Sequence, residues 1–322
     1  MHLRIISGSS HKTFAAELTK KLRIEETPII SKKFSNGNRF VSIEASVRGD
    51  DVFVVQTQVP EVSEHLMELF MLLRTLHDAS AGRITAVLPY FPYARSDKKD
   101  QPRVCITARL LADLLETAGA DRVMTMELHA PQIQGFFSIP CDHLMAAPIL
   151  VTHLQKTWNL DDYVLVAGDA GAAKLVKRFA DGLDLPIAIM DKRRIGNIEE
   201  VTIRGVVGDV RKKHALLIDD ETSTGKTLIR DAEFLLSKEA GALSVDACVI
   251  HAAYDTDSAK RLAASSIRRL VTTDTIPAPA LPEGRHEIVS VAPLFAECIR
   301  RVHDGESITP LNQIQTLSDR RR

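Results

Sequence analysis

Short runs of aliphatic and β-branched residues recur along the chain with little polar alternation. The first half holds them at Leu3 to Ile6, Asp51 to Gln56, Ile84 to Tyr90 and Arg122 to Leu128. The second half holds them at Tyr163 to Gly168, Ile187 to Asp191, His214 to Asp220 and Val245 to Ala252. Runs of this kind predict strands buried on both faces. Helical spacing lies between them. Leu66, Leu69, Phe70, Leu73 and Leu76 recur every three or four residues within Glu64 to Leu76, and Leu110, Leu111, Leu114 and Leu115 do the same within Ile106 to Ala118, where Gly119 supplies a stop. Strands alternating with helices predict parallel sheets with crossover connections and ligand sites at the carboxyl ends of strands. At 322 residues the chain is about twice a common domain length. The expected fold is therefore α/β, with two similar domains, each a mainly parallel sheet flanked by helices. The seam is placed in the MAAPIL stretch, giving domains 1–147 and 148–322. From Ser307 the tail shows neither period nor core residues and is expected at the surface.

Composition narrows the partners. Lys plus Arg number 41 against 42 Asp plus Glu, with 45% hydrophobic residues. That balance gives no electrostatic case for nucleic acid or an anionic membrane as the main partner. No segment offers the ~18 uninterrupted apolar residues of a membrane span. Cys105, Cys141, Cys248 and Cys298 are scattered without metal-ligand spacing and read as buried thiols of a cytoplasmic protein.

The most informative segment is KKHALLIDDETSTGKTLIRDAEFLL. An apolar strand, Ala215 to Ile218, runs into Asp219 and Asp220, then a Thr/Ser/Gly loop over Thr222 to Thr227, then an amphipathic helix. Small residues let backbone N–H groups converge on a phosphate, and a following helix N-terminus adds partial positive charge. Gly225-Lys226-Thr227 resembles the end of a nucleotide P-loop, but that motif needs a glycine five residues before Gly225, where Asp220 stands. The two carboxylates suit the hydroxyls of a ribose whose 5-phosphate lies in the loop. Spacing alone leaves open a strand end with capping Asp and Ser.

This segment resembles the phosphoribosyl-pyrophosphate loop of type I phosphoribosyltransferase-like proteins. From about Leu3 to about Val302 the chain is similar to the ribose-phosphate pyrophosphokinase (phosphoribosyl pyrophosphate synthetase) family. The matching strings are RFVSIEASVRG, LPYFPYARSDKK, LLETAGADRV, ELHAPQIQGFFSIPCDHLMAAPIL and IAIMDKRR, in that order. The HAPQIQGFF and DKRR strings are absent from ordinary phosphoribosyltransferases.

The resemblance implies a phosphoribosyltransferase-like fold and a diphosphotransferase, in which ribose 5-phosphate attacks the β-phosphorus of Mg²⁺-ATP through its C1 hydroxyl. It implies Lys192 as the catalytic cation and Arg194 as its assistant at the sugar phosphate, both on a loop that closes over the site. A basic run such as Lys192 to Arg194 otherwise reads as a solvated turn. Asp219, Asp220, Ser223, Thr224, Gly225, Lys226 and Thr227 are the implied ribose 5-phosphate residues. Phe34, Asn36, Gly37, Asn38, Arg95 and Ser96 are the implied ATP residues, with Phe34 reaching a neighbouring subunit's site. His129 and Asp169 are the implied metal contacts, although His129 alone reads as a hydrogen-bonded loop histidine. A hexamer built from dimers is implied as well. No general base is obvious, which suits phosphoryl transfer driven by positioning and electrostatics.

Departures cluster in these strings. Asn36 and Asn38 replace two acids, Ser96 replaces a Gln, Ser223 an Asp and Lys226 a Gly, and the string after Asp169 reads Ala170-Gly171-Ala172. The asparagines remove charge and add donors at the base site. Ser223 and Lys226 together make the sugar-phosphate loop more positive. Two alternatives remain at this stage. One is a phosphoribosyltransferase, which would need neither the second α/β half nor the DKRR string, and the other is a catalytically weak regulatory paralogue.

Overall fold

The computed structural model describes residues 1–57, 61–194 and 201–314, apart from the side chains of residues 193, 194 and 201. The chain divides into two compact units. The first comprises Met1–Met145, Thr275–Pro277 and Ser290–Leu311; the second comprises Ala146–Asp274, Ala278–Val289 and the chain from Asn312.

In the first unit the order is β1 (Leu3–Ser7), α1 (Lys12–Leu22), β2 (Ile29–Lys33), β3 (Arg39–Ile43), β4 (Asp51–Val55), α2 (Val62–Asp78), β5 (Arg83–Leu88), α3 (Thr107–Ala118), β6 (Arg122–Met126) and β7 (Cys141–Leu144). Strands β1, β4, β5, β6 and β7 form one parallel sheet in that order, while β2 and β3 form a separate antiparallel hairpin. Every residue of β4 is buried, the apolar run Val52–Val55 together with Asp51 at its start.

The second unit contains α4 (Ala147–Thr157), β8 (Tyr163–Ala167), α5 (Ala173–Leu183), β9 (Ile187–Arg194), β10 (Val201–Val207), β11 (His214–Thr222), α6 (Lys226–Leu236), β12 (Ser244–Ala252), α7 (Thr256–Ala264), β13 (Ile267–Thr273) and β14 (His286–Val289). Its sheet runs β10-β9-β8-β11-β12-β13-β14, parallel except for β10. The last α-helix, α8 (Ala292–Asp304), belongs to the first unit.

Three expectations need correction. A single seam at 147/148 does not describe the chain, because α8 packs on α1. Phe14 and Phe295 meet edge-on with centroids 5.6 Å apart, and His303 Nδ1 lies 2.7 Å from the buried Asp51 carboxylate. On α3 the buried stripe is Ala108, Leu111, Ala112 and Leu115, so Leu110 and Leu114 fall off that face and are exposed. Finally, Cys105 is exposed and Cys141 half-buried, leaving Cys248 and Cys298 as the buried thiols. Cys105 lies in the irregular stretch before α3, where its carbonyl accepts from Ser96 Oγ. Among the described residues no helix is long and apolar enough to cross a membrane.

Candidate active site

In the second unit β8 and β11 are neighbours, yet the chain leaves β8 toward β9 and leaves β11 toward β12, on opposite sides. Such a reversal opens a crevice at the carboxyl ends of the two strands. Strand β11 outruns β8 there. Its pairing with β8 ends at Ile218↔Ala167, whereas its ladder with β12 continues to Thr222↔Ala252. Asp219 and Asp220 therefore lie on strand backbone, held by β12 and half-buried, beyond the end of β8. Asp219 Oδ1 accepts from the Asp220 backbone N–H at 2.9 Å.

The chain then turns through Ser223 and Thr224 into Gly225, whose φ of 72° is left-handed and whose added Cβ would stand 2.8 Å from Leu262 Cγ. Only glycine fits both constraints. Helix α6 starts at Lys226, two residues earlier than a loop through Thr227 predicts. Thr224, Lys226 and Thr227 are exposed at this helix N-terminus and Ser223 is half-buried. A lysine in the first turn opposes the helix dipole, so an anion docked there relieves an unfavourable charge.

Asp169 stands two residues past β8, exposed, with Oδ1 accepting from the Ala172 N–H at 3.0 Å just before α5. Lys192 was expected on a loop. It lies instead within β9, paired in register with Ile203 of β10, because the antiparallel partner carries the strand through Arg194. Its Nζ donates to Asp231 Oδ2 of α6 at 2.6 Å, with the aspartate side chain 1% exposed. Burial pushes the Asp231 carboxyl above its ordinary range, and the Lys192 charge opposes that shift. The side chain of Arg194 and the segment 195–200 that would form the closing loop lie outside the described residues.

The first unit carries the other expected residues. Phe34 to Asn38 form the tip of the β2–β3 hairpin. Phe34 N donates to Asn38 O at 2.8 Å, Asn38 N donates to Asn36 Oδ1 at 3.0 Å, and Gly37 takes a φ of 87°. Phe34 and Phe40 remain 48% and 40% exposed, with Lys32 Nζ within 5.9 Å of both ring centroids. The hairpin is tied down by a residue absent from the sequence reading. Glu68 of α2, fully buried, accepts from Ser31, Ser9, Gln56 and Arg39. Burial raises its carboxyl, and these donors outweigh it and hold it below its ordinary value.

Arg95 is exposed. Ser96 Oγ donates to Cys105 O at 3.1 Å and accepts from Thr107 N at 3.3 Å, so its hydroxyl is engaged at the start of α3. His129 is exposed after β6, and the preceding Leu128 N–H donates to His143 Nε2 at 2.9 Å. His143, also absent from the sequence reading, thus fixes the backbone that presents His129. Among the described residues no three His, Cys, Asp or Glu side chains gather closely enough to hold a metal by themselves.

Residues 3–119 match the N-terminal domain family of ribose phosphate pyrophosphokinase, and residues 197–313 match the phosphoribosyl synthetase-associated domain family. The ribose-phosphate pyrophosphokinase of Clostridium acetobutylicum is 42% identical over 97% of this chain and 98% of its own length. The chain belongs to the ribose-phosphate pyrophosphokinase family. Among its other members, ribose-phosphate pyrophosphokinase 4 of Saccharomyces cerevisiae is 42% identical over 96% of this chain and 94% of that protein. The crystal structure of phosphoribosylpyrophosphate synthetase from Mycobacterium smegmatis superposes with a TM-score of 0.88 at 36% identity, covering 95% of this chain and all of that one. As a member of this family the protein is a transferase, and the family's two-domain architecture accounts for both α/β units.

Proposed function

We propose that the protein transfers the β,γ-pyrophosphoryl group of ATP to the C1 hydroxyl of ribose 5-phosphate, giving 5-phosphoribosyl 1-pyrophosphate and AMP for nucleotide biosynthesis. The observation that carries this reading is the convergence, at one switch point, of the Asp219-Asp220 strand end, the Gly225 turn into α6, and Lys192.

Each element has a chemical task. The 5-phosphate sits against the Ser223 to Thr227 backbone and Lys226, while Asp219 and Asp220 accept from the ribose hydroxyls. The C1 oxygen is thereby fixed for in-line attack on the β-phosphorus. As the new O–P bond forms, the bond from that phosphorus to the α,β-bridging oxygen breaks, AMP leaves, and the hydroxyl proton is released. Lys192 and Arg194 meet the negative charge that spreads over the phosphoryl oxygens. Phe34 offers a ring face to the adenine, and Asn36, Asn38, Gly37, Arg95 and Ser96 line the nucleotide side by resemblance.

Mg²⁺ is the implied metal. A site without a three-ligand cage fits it, because this ion keeps several waters and binds through one or two protein groups together with substrate phosphates. Asp169 offers a carboxylate oxygen and His129 an imidazole nitrogen, each carried by the resemblance of its own segment. When bound, Mg²⁺ neutralises charge on the nucleotide phosphates. Two exposed aromatics of the hairpin, Phe34 at its tip and Phe40 on β3, support assembly into a homo-oligomer, a hexamer of dimers by resemblance, in which the tip reaches a neighbouring copy. The unpaired cysteines support a cytoplasmic location.

The test is AMP release from purified protein with ribose 5-phosphate, Mg²⁺ and inorganic phosphate, run in parallel with ATP, GTP and CTP. Turnover that requires ribose 5-phosphate and stops on chelation is the expected result. A folded oligomer that binds ribose 5-phosphate yet turns over no nucleotide would make this chain a regulatory paralogue instead.

A further inference from the structure

Helix α6 presents two faces to the site. Its first turn carries Lys226 and Thr227, while Leu228, Asp231, Ala232 and Leu235 form its buried stripe. An aspartate on an apolar stripe is costly unless something compensates it. Its only described hydrogen-bonding partner is the Lys192 ammonium, bound through Oδ2 at 2.6 Å, and Oδ1 is buried without a partner among the described residues.

The pair lies over Gly168, where an added Cβ would stand 3.4 Å from Asp231 Oδ2 and 3.7 Å from Lys192 Nζ. The ion pair thus lies at the end of β8, beside the residue that follows it. Asp169, next in the chain, is close enough to raise the Asp231 carboxyl further through its charge. An ammonium has three N–H donors, and among the described residues Asp231 takes one of them.

We propose that Asp231 is a positioning residue for Lys192: its carboxylate holds the ammonium at the carboxyl end of β8, directing the remaining two N–H donors to the oxygens of the transferring group. The inference rests on the reading of Lys192 as the cation at that group. A lysine side chain has four rotatable bonds, and anchoring its head before substrate arrives removes the ordering step from the barrier. The anchor comes from the same helix whose N-terminus receives the sugar phosphate, so one rigid element sets both ends of the reaction.

The experiment compares Asp231→Asn, Asp231→Glu and Lys192→Ala in the full-length protein. It measures kcat for AMP formation, ribose 5-phosphate affinity by calorimetry, and melting temperature. Asn keeps the shape and an acceptor but loses the charge, while Glu keeps the charge and moves it by one methylene. We expect kcat to fall about 10- to 100-fold in both Asp231 variants, with ribose 5-phosphate affinity within about twofold, since α6 and its loop stay folded. Should the Asn variant not fold, the Glu variant decides alone.

Unchanged or increased kcat in a folded Asp231 variant, with Lys192→Ala inactive, would overturn the positioning role while leaving Lys192 in place. A parallel loss of ribose 5-phosphate affinity would show a merely structural part for Asp231. Near-normal turnover in Lys192→Ala would overturn the assignment of Lys192 itself, and the role of Asp231 with it.

Discussion

The phenol of Tyr163 at the start of β8 donates to the fully buried carboxylate of Asp246 on β12 across 2.7 Å. Arg268 and Arg269 of β13 also reach that carboxylate, and Arg269 stacks on Trp158 at 3.5 Å. Burial raises the Asp246 carboxyl, but these donors outweigh it and hold it below its ordinary value of 3.8. The unfolded chain therefore binds this proton more readily than the folded one, so the stabilisation is complete above about pH 4 and is lost as pH falls through the folded value. Asp246→Asn should cost about 3 kcal/mol at pH 7, and the gap to the parent protein should narrow below about pH 4. Urea melts from pH 7 down to 3 measure this, and a gap independent of pH would refute the role of the charge.

Asn36 holds the hairpin tip through its own carbonyl oxygen, which an aspartate supplies equally well. Asn36→Asp with Asn38→Glu should leave the hairpin intact and shift preference toward ATP. Ratios of kcat/KM for ATP, GTP and CTP report this directly. If the ratios do not move, these two positions do not select the base.

Phe34 is half-exposed and contributes little to its own unit's core. Phe34→Ala should change stability by less than about 0.5 kcal/mol, while loss of an aromatic stacking face, worth about 1 kcal/mol, should raise KM for ATP several-fold with kcat nearly unchanged. Steady-state kinetics at saturating ribose 5-phosphate separate the two parameters. An unaltered KM would remove Phe34 from the nucleotide site.

Gly225→Ala meets both a left-handed backbone and Leu262. Strain of about 1–3 kcal/mol is expected, released by moving the loop away from the start of α6. Ribose 5-phosphate affinity should drop about tenfold or more, with a lower melting temperature. Retained affinity would mean that the phosphate does not use this turn.

The central strands were legible because burial on both faces writes an unbroken apolar run, as in β4 and β8. The hairpin was not, since Ile30, Phe34 and Phe40 are exposed and its polar alternation resembles a loop. Lys192 looked like loop chemistry because four charged residues follow Met190, and only the pairing with β10 turns them into strand. Asp231 and Glu68 are not among the residues that the sequence analysis singles out. A signal existed for both: Asp231 falls three residues after Leu228 and four before Leu235, and Glu68 falls four before Leu72, each on the apolar stripe of its helix. A polar residue inside such a stripe is a buried group with a partner to be found.

The contact between Phe14 and Phe295 closes the first unit with one of its last elements. Domains tend to fold in the order they leave the ribosome, yet here the segment made first waits for α8 before its core is complete. Synthesis thus inverts the usual order: the whole sheet of the second unit is made while α1 still lacks its cover. A nascent chain arrested before Ser290 should accordingly expose the apolar face of α1, and limited proteolysis of stalled chains should cut within the first unit until α8 has emerged.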